Sequence, residues 1–316
     1  MEIPATERRS KGYSTDVVVS STQAESIRTS LYRSDAATTG SILEALPDRF
    51  TPDHIQFFEA NGYLAANGLL TADEVQSCID GLSSLIRRRS AWDKRVWVQE
   101  EPYFAQGGHD ARADDPELRL RKLAYFVQME PRLDAASRHP RLVDAVEQLI
   151  GSARLIQDMA LLKPPFRGSE KPWHQDTAYF DWTPLGGILG TWIALDAATV
   201  ENGCMQVIPG SHLEGPVPHF HVRDCQITDG RVQVQRSVTI PLEPGGVLFF
   251  SGLLHHGTPQ NNTAQRRRAL QFHYAAANCT KMTIEQHGEL FNAGGMYAGC
   301  RDWDLAAGMS RAVLTP

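Results

Sequence analysis

Residues 245–277, GGVLFFSGLLHHGTPQNNTAQRRRALQFHYAAA, contain two short apolar runs separated by a polar stretch rich in turn residues. Runs of this length that are rich in Val, Phe and Tyr and bounded by Gly, Pro and Asn are typical of β-strands. Alternation along the second run separates a small, polar face from an apolar face. The residues of the first face are Ala269, Gln271 and His273, and those of the second are Leu270, Phe272 and Tyr274. The first face suits the inside of a barrel, and the second suits packing against helices.

The same pattern of short apolar runs between turn residues extends over much of the second half of the chain. From residue 152, runs such as GILGTWIALD, GCMQVIPGS and RSVTIPL alternate with turn residues. This pattern indicates a β-sandwich or a barrel. We therefore expect a β core at about 152–280, followed by a C-terminal segment, 281–316.

The first half carries helix signals instead. Thr51 and Pro52 are suited to a helix start, Thr71 and Glu74 form a capping-box pattern, and Gly151 ends a helix that begins near residue 140. The predicted buried residues of the first two segments are Ile55, Phe58, Leu64, Val75, Cys78, Ile79, Leu82 and Ile86.

These signals predict the domain organisation. Helices with one apolar face need a sheet to cover, so we expect a helical part at about 47–151 within a single catalytic domain, 47–316. Residues 92–116 are irregular in pattern. Residues 1–46 show no sustained periodicity and are interpreted as an extension that either drapes over the domain or stays mobile.

Composition and charge argue against several classes of function. The 316-residue chain has 42% hydrophobic and 22% charged residues, and its net charge of −6 gives no sign of a nucleic-acid or membrane-surface partner. The longest apolar stretch, LGGILGTWIALDAA, is too short for a membrane span, and the N-terminus lacks the apolar core of a signal peptide. The five cysteines are odd in number and show no C-x-x-C spacing, which suggests free thiols and a cytoplasmic protein.

A histidine and an aspartate two residues apart, His174 and Asp176, occur in WHQDTAYFDW, residues 173–182. About one His-x-Asp is expected by chance in a chain of this composition, so a third ligand must come from a strand that returns beside the first. His255 and His256 both lie at a predicted strand end, and either completes a set of two histidines and one carboxylate. Such a triad leaves adjacent positions open and is typical of non-haem Fe(II) oxygenases. A structural zinc site would want four ligands, usually with Cys.

Arg267 begins the strand that follows these histidines. It shares the parity of the small, polar face, so we expect its side chain to point into the barrel mouth. A guanidinium in that position is suited to bidentate binding of a carboxylate. Arg266 and Arg268 alternate to the opposite face and are interpreted as surface or interface groups.

Several of these segments, taken in order, resemble the phytanoyl-CoA dioxygenase family of Fe(II)/2-oxoglutarate oxygenases. The matching pieces are LLKPP, WHQDTAYF, TWIALDAATVENGCMQVIPGSH, PGGVLFFSGLLHHGTPQNN and RRALQFHY, between roughly Arg119 and Asn278. The resemblance implies an α+β fold with a mainly β core, a double-stranded β-helix (a jelly-roll, cupin-like barrel) with flanking N-terminal helices. It also implies Fe(II), 2-oxoglutarate and O2 as the cofactor and cosubstrates.

The resemblance assigns roles to individual residues. His174, Asp176 and His256 match the iron ligands. His256 is preferred over His255 because the family's distal histidine directly precedes a glycine and stands five residues before an asparagine. Arg267 matches the arginine that binds the distal carboxylate of 2-oxoglutarate. The other positions that match cosubstrate contacts are Thr258, Trp192, Met159 and Lys122.

Two features near the site can each be interpreted in two ways. The aromatic residues Tyr179, Phe180 and Trp182 form either part of the substrate pocket or ordinary barrel packing. The long connection 212–236, which contains His219, His221 and Arg223, is either a lid over the substrate or an exposed surface loop.

The chemistry that the resemblance implies is oxidation, above all hydroxylation, of an unactivated C–H bond in a small organic molecule, with release of succinate and CO2. Secondary metabolism is the favoured setting. The alternatives are an acyl-CoA or lipid-like substrate, and desaturation, rearrangement or epimerisation at the same iron site. Halogenating relatives carry Ala or Gly at the carboxylate position, so Asp176 argues against halogenation. Outside the enzymes, the alternative is a catalytically silent binding protein, against which the intact triad and Arg267 argue.

Overall fold

The structure, a computed structural model, describes residues 30–35, 38–88, 96–109, 114–221 and 223–291. The strands in these ranges are β1 (Ile42–Leu43), β2 (Tyr63–Ala66), β3 (Trp97–Glu100), β4 (Leu120–Ala124), β5 (Ala153–Lys163), β6 (Lys171–His174), β7 (Trp182–Thr183), β8 (Ile188–Ala194), β9 (Met205–Val207), β10 (His219–His221), β11 (Cys225–Ile227), β12 (Val238–Ile240), β13 (Val247–Ser251), β14 (His256–Thr258), β15 (Arg267–Ala276) and β16 (Thr280–Lys281). The α-helices are α1 (Pro52–Asn61), α2 (Ala72–Arg87), α3 (Pro102–Ala105), α4 (Pro116–Arg119), α5 (Pro131–Ser137), α6 (Pro140–Ile150) and α7 (Ile284–Phe291). Short 3-10 helices lie at Asp176–Tyr179, Leu185–Gly187, Ser211–Glu214, Asp229–Arg231 and Val234–Arg236.

Two sheets form the jelly-roll core. The larger sheet has the strand order β1-β2-β13-β8-β15-β5-β4-β3, and the smaller has the order β12-β9-β14-β6. β1 and β2 run parallel, whereas the other paired strands of both sheets run antiparallel. The predicted α+β fold with a jelly-roll core is confirmed.

The two faces of β15 are divided as its sequence predicts. Leu270, Phe272 and Tyr274 are buried in the core cluster that also contains the apolar residues of α2 and α6. The Tyr274 hydroxyl donates a hydrogen bond to the Ser137 carbonyl at 2.6 Å, which ties this face to α5. The opposite face of β15 looks toward the smaller sheet and lines the cavity described below.

The helix boundaries follow the predicted caps. The Thr51 side chain accepts from the His54 backbone at the start of α1, and Thr71 and Glu74 form a complete capping box at the start of α2. Gly151 follows α6 with φ at 75°, a conformation that glycine adopts without strain. Of the predicted buried residues, Ile55, Phe58 and Ile79 are only half-buried, because they lie at the edge of the core.

Residues 47–151, predicted as the helical part, contain α1 to α6 and in addition supply β2, β3 and β4 to the larger sheet, which the sequence patterns did not predict. All four residues of β2 are buried, with Leu64 and Ala66 in one core cluster and Tyr63 and Ala65 in the other. A short strand buried on both faces shows no alternation, so its sequence does not distinguish it from the end of a helix.

The N-terminal extension is partly described. Residues 1–29 lie outside the described ranges, as do residues 292–316 of the C-terminal segment. Residues 30–35 lie against the smaller sheet: Tyr32 stacks on Trp173, and the Trp173 indole N–H donates to the Leu31 carbonyl at 2.8 Å. This part of the extension packs on the body of the protein.

The prediction of five free cysteines is wrong for Cys225, which is disulfide-bonded. Cys78, Cys204 and Cys279 are free and buried. Cysteine spacing indicates only pairs that are close in sequence, whereas a disulfide joins residues that are close in space. None of the helices in the described ranges combines the length and the apolar character that a bilayer span requires.

Candidate metal centre

Three predicted ligands meet at one end of the smaller sheet. His174 ends β6, His256 begins β14, and these two residues face each other as Cα partners across the strand pair. Asp176 follows two residues after His174, where the strand turns into a 3-10 helix. One ligand atom from each of the three lies within 4.8 Å of the others. Oδ1 of Asp176 is 3.2 Å from Nε2 of His174 and 3.5 Å from Nε2 of His256.

Backbone carbonyls fix the tautomer of both histidines. Nδ1 of His174 is 2.8 Å from the Pro172 carbonyl, and Nδ1 of His256 is 2.9 Å from the Leu254 carbonyl. A carbonyl can only accept, so each Nδ1 carries a hydrogen and each Nε2 faces the cluster. Burial lowers the pKa of His174 to about 3, so this ring is neutral at physiological pH.

Two side chains of β15 hold the carboxylate. Oδ2 of Asp176 lies 3.0 Å from the Gln271 amide nitrogen and 2.7 Å from Nε2 of His273. Burial alone would raise the pKa of Asp176, but the neighbouring rings of His256 and His273 outweigh it and hold that pKa well below its usual range. Asp176 is therefore an anion: its Oδ2 is hydrogen-bonded to Gln271 and His273, and its Oδ1 is directed at His174 and His256. Sequence reasoning placed Gln271 and His273 on this face without giving them a role.

This donor set fits a divalent iron. Two neutral imidazoles and one carboxylate, each supported by a second hydrogen bond, are the ligands of a facial triad with open positions. Within the described ranges, no other group of three His, Cys, Asp or Glu side chains comes this close together.

The other histidine candidates lie elsewhere. His255 is buried beside the cluster, its backbone N–H donates to Ser211 Oγ at 2.8 Å, and its ring is not part of the group. The sequence also contains two His-x-Glu pairs, His212 with Glu214 and His287 with Glu289, and neither pair belongs to the cluster. His212 contacts the Glu59 carbonyl at 3.0 Å, and His287 contacts the Ala178 carbonyl at 3.0 Å.

A cavity with a volume of about 110 Å³ opens between the two sheets and contains the cluster in its wall. Four predicted cosubstrate contacts line it: Met159, Lys122, Thr258 and Arg267. Trp192 does not line it. This residue is fully buried, and its ring centroid lies 5.2 Å from Cζ of Arg267, so it supports the guanidinium instead.

Arg267 is a buried cation that forms no ion pair with a carboxylate of the described residues. The residue is 2% exposed, and neither Nε nor Nη1 has a hydrogen-bond acceptor. Burial lowers the pKa of Arg267 to about 10, which still leaves the guanidinium charged at neutral pH. A charged group that is buried without a counter-ion favours binding of an anion in the cavity. Arg266 and Arg268, as predicted, lie on the other face, where they pair with carboxylates that include Glu117 and Asp196.

Sequence reasoning missed further cations in the cavity wall. Lys163, Arg121 and Lys171 all line it. Asp224 lies 3.1 Å from Arg121 and 2.9 Å from Lys171, so these two cations share one carboxylate. Lys163 was visible only as part of the LLKPP segment, because no local pattern indicates that a lysine will be buried.

Two of the three candidate aromatic residues line the cavity, and the third does not. Tyr179 and Phe180 line the cavity, and the Tyr179 hydroxyl accepts a hydrogen bond from Lys171 at 2.6 Å. Trp182 does not line the cavity. Its ring centroid lies 4.6 Å from Cζ of Arg154 and 3.9 Å from Nζ of Lys281. The prediction for Trp182 depended on its closeness to Asp176 in the sequence, and the intervening 3-10 helix places its ring away from the cavity.

The connection 212–236 is more ordered than a surface loop. It contains the paired strands β10 and β11, and His219 is fully buried with Nε2 accepting from the Gln175 backbone at 2.9 Å. Arg223 forms ion pairs with Glu170 and Asp229, both at 2.7 Å. The side chain of His221 lies outside the described residues. A lid function for this hairpin stays a prediction.

A jelly roll that brings two histidines, a carboxylate and a buried arginine to one cavity is the arrangement of the non-haem Fe(II)/2-oxoglutarate-dependent dioxygenases. The model of the phytanoyl-CoA dioxygenase (PhyH) family matches residues 58–269. The chain belongs to this family, and as a member it is an Fe(II)/2-oxoglutarate-dependent dioxygenase that uses O2.

Curated relatives match over most of their length. A probable phytanoyl-CoA dioxygenase from Caenorhabditis elegans is 28% identical over 272 residues, which cover 79% of this chain and 81% of the relative. The peroxisomal phytanoyl-CoA dioxygenase of Homo sapiens is 28% identical over 257 residues, which cover 74% of this chain and 71% of the relative.

Solved structures share the fold. The α-ketoglutarate-dependent carbocyclase SnoK from nogalamycin biosynthesis has a TM-score of 0.59 and 20% identity, over 82% of this chain and 98% of its own. EvdO2 from Micromonospora carbonacea var. aurantiaca, in complex with 2-oxoglutarate, has a TM-score of 0.59 and 23% identity, over 76% of this chain and 96% of its own. At this level of identity the comparison establishes the jelly-roll architecture.

Proposed function

We propose that His174, Asp176 and His256 hold the iron and that the enzyme hydroxylates an unactivated C–H bond of a small organic molecule. The observation that carries the proposal is the convergence of two Nε2 atoms and one carboxylate oxygen within 4.8 Å, in the same cavity as an unpaired Arg267. The proposed metal site and anion site therefore face the same cavity.

Each residue has a task that its contacts support. Fe(II) with 2-oxoglutarate and O2 supplies the oxidation, with succinate and CO2 as by-products. Arg267 binds the distal carboxylate of 2-oxoglutarate, with Thr258 beside it in the cavity wall. Gln271 and His273 orient Asp176 through their hydrogen bonds to Oδ2. The two sheets exclude water from the reacting groups.

The favoured substrate is a free small molecule of the kind that secondary metabolism modifies, and the similarity to SnoK, an enzyme of nogalamycin biosynthesis, supports this choice. The names of the curated relatives favour the alternative, an acyl-CoA. Tyr179 and Phe180 are proposed to contact the substrate, since they line the cavity beside the metal ligands.

Turnover of a metabolite library tests the proposal. The purified protein, supplied with Fe(II) and 2-oxoglutarate, is expected to release succinate only with a suitable substrate. Mass spectrometry should then show a product that is 16 mass units heavier, as insertion of one oxygen atom requires. A product two units lighter would show desaturation, and exclusive turnover of acyl-CoA esters would support the alternative substrate class.

The two adjacent histidines should respond differently to substitution. His256→Ala is expected to abolish turnover, because it removes an Nε2 that faces the cluster. His255→Ala should keep measurable turnover, because its ring lies outside the group. Succinate release by both variants, after circular dichroism has shown that they fold, provides the comparison. The reverse pattern would show that the β14 register is displaced by one residue.

A further inference from the structure

Lys163 is a second buried cation beside Arg267. These two residues are Cα partners on the neighbouring strands β5 and β15, and both line the cavity. Paired residues on adjacent strands project to the same face of a sheet, so both side chains enter the space between the two sheets. Lys163 is 4% exposed and Arg267 is 2% exposed.

Neither cation has an ion-pair partner within 4.0 Å among the described residues. The Lys163 ammonium donates one hydrogen bond, to the Ser169 carbonyl. In the nearby carboxylate of Glu101, Oε2 accepts from the Ser169 backbone N–H at 3.2 Å and from its Oγ at 2.6 Å, whereas Oε1 has no hydrogen-bond partner among the described residues. Glu101 and Glu170 therefore act on Lys163 only at longer range.

Two buried positive charges side by side are costly. Burial and the charge of Arg267 hold the pKa of Lys163 well below its usual range. An anion placed between the two groups would reverse the repulsion and recover part of the desolvation cost. A carboxylate suits this position, because its two oxygens can accept from the Arg267 fork and from an ammonium at the same time.

The packing around Lys163 limits where its ammonium can go. A Cβ added to Gly203 would lie 3.0 Å from Cδ and 3.1 Å from Cε of Lys163. The lysine stem therefore runs directly over a glycine, at a separation that a larger residue would not allow. This contact, together with the hydrogen bond to Ser169, holds the charge in the cavity wall before any ligand arrives.

We propose that Lys163 and Arg267 form a two-cation site that binds the distal carboxylate of 2-oxoglutarate. The proposal rests on the proposed function and adds a second binding residue to it. Arg267 supplies the planar fork that sets the direction of the carboxylate, and Lys163 supplies a compact charge from the adjacent strand. Such a site would separate dicarboxylic from monocarboxylic 2-oxo acids.

Anaerobic calorimetry on the Fe(II)-loaded protein tests this site with two ligands, 2-oxoglutarate and 2-oxopentanoate. The second ligand keeps the 2-oxo acid end and lacks the distal carboxylate. The parent protein is expected to prefer 2-oxoglutarate strongly. Lys163→Gln, which keeps a donor for the Ser169 carbonyl, should weaken 2-oxoglutarate binding by about tenfold or more and leave 2-oxopentanoate binding nearly unchanged.

Further variants distinguish the effect of the Lys163 charge from a structural effect of the substitution. Lys163→Met should behave like Lys163→Gln, Lys163→Arg should recover part of the preference, and Arg266→Met should keep it, since Arg266 pairs with Glu117 on the opposite face. In the ligand-free state, Lys163→Gln should melt no lower than the parent, because it relieves repulsion, but should gain less from added 2-oxoglutarate.

The outcomes are distinguishable. Equal weakening of both ligands in Lys163→Gln, or an unchanged preference, would overturn the two-cation site and leave Lys163 as a support for the Ser169 loop. If the parent itself showed no preference for 2-oxoglutarate, the proposed function would fail first, whatever the lysine variants do.

Discussion

Asp176→Ala is expected to abolish 2-oxoglutarate-dependent turnover and to weaken Fe(II) binding by roughly 30-fold to several-thousand-fold. The range follows from a cost of about 2 to 5 kcal/mol for removing one partner of a buried, close charge pair. Asp176 is the only anion among the three proposed ligands, and its pKa is held well below the usual range, so the substitution removes a full charge. Gln271 and His273 lose their shared acceptor in the same variant. Anaerobic metal titration and succinate release measure the two effects.

Glu289, the carboxylate of the His287-x-Glu289 pair, provides the matched control. Glu289 follows His287 at the same spacing as Asp176 follows His174, but it is exposed on α7 and belongs to no cluster. Glu289→Ala should therefore bind Fe(II) like the parent. Parental metal affinity and turnover in a folded Asp176→Ala protein would show that the carboxylate is not an iron ligand.

The parts of this site that the sequence predicts are those that follow a regular strand. Parity along β15 placed Arg267 on the inner face and its two arginine neighbours on the outer face, because side chains alternate in an unbroken strand. The pairing of His174 with His256 depended on matching two strand ends, and the structure places them as direct partners. Because the geometry of strands is regular, such predictions hold even for residues that are far apart in the sequence.

The parts that the sequence does not predict depend on packing or on irregular backbone. Trp182 follows a 3-10 helix, which turns its ring away from the cavity. The role of Gln271 and His273 requires the position of Asp176, which follows a strand of the other sheet, and no local pattern contains that position. Lys163 is similar: a lysine is usually exposed, and only the tertiary structure shows it beside Arg267.

The two sheets divide the chemistry between them. The smaller sheet carries His174 and His256 on paired strand ends, and the larger sheet carries Arg267 and Lys163 on paired strands opposite. A ligand that spans the cavity therefore meets the metal ligands at one end and the cations at the other. This separation predicts that metal binding and 2-oxoglutarate binding can be damaged independently.

Arg267→Ala is the strongest test of that independence. We expect it to weaken 2-oxoglutarate binding by about 30-fold or more, since truncating one partner of a buried charge pair costs about 2 to 5 kcal/mol. Anaerobic Fe(II) binding should stay near the parental value, because Arg267 is not among the metal-ligand group. Calorimetric titration with 2-oxoglutarate and separately with Fe(II) measures both affinities.

Substitutions of the two neighbouring arginines are the controls for Arg267→Ala, because they remove the same charge from the opposite face of the strand. Arg266→Ala and Arg268→Ala should bind 2-oxoglutarate nearly like the parent, since their side chains pair with Glu117 and Asp196 outside the cavity. Arg267→Lys should recover only part of the affinity, because an ammonium lacks the planar fork. An unchanged 2-oxoglutarate affinity in Arg267→Ala, or a large loss in Arg266→Ala, would show that a different arginine binds the carboxylate.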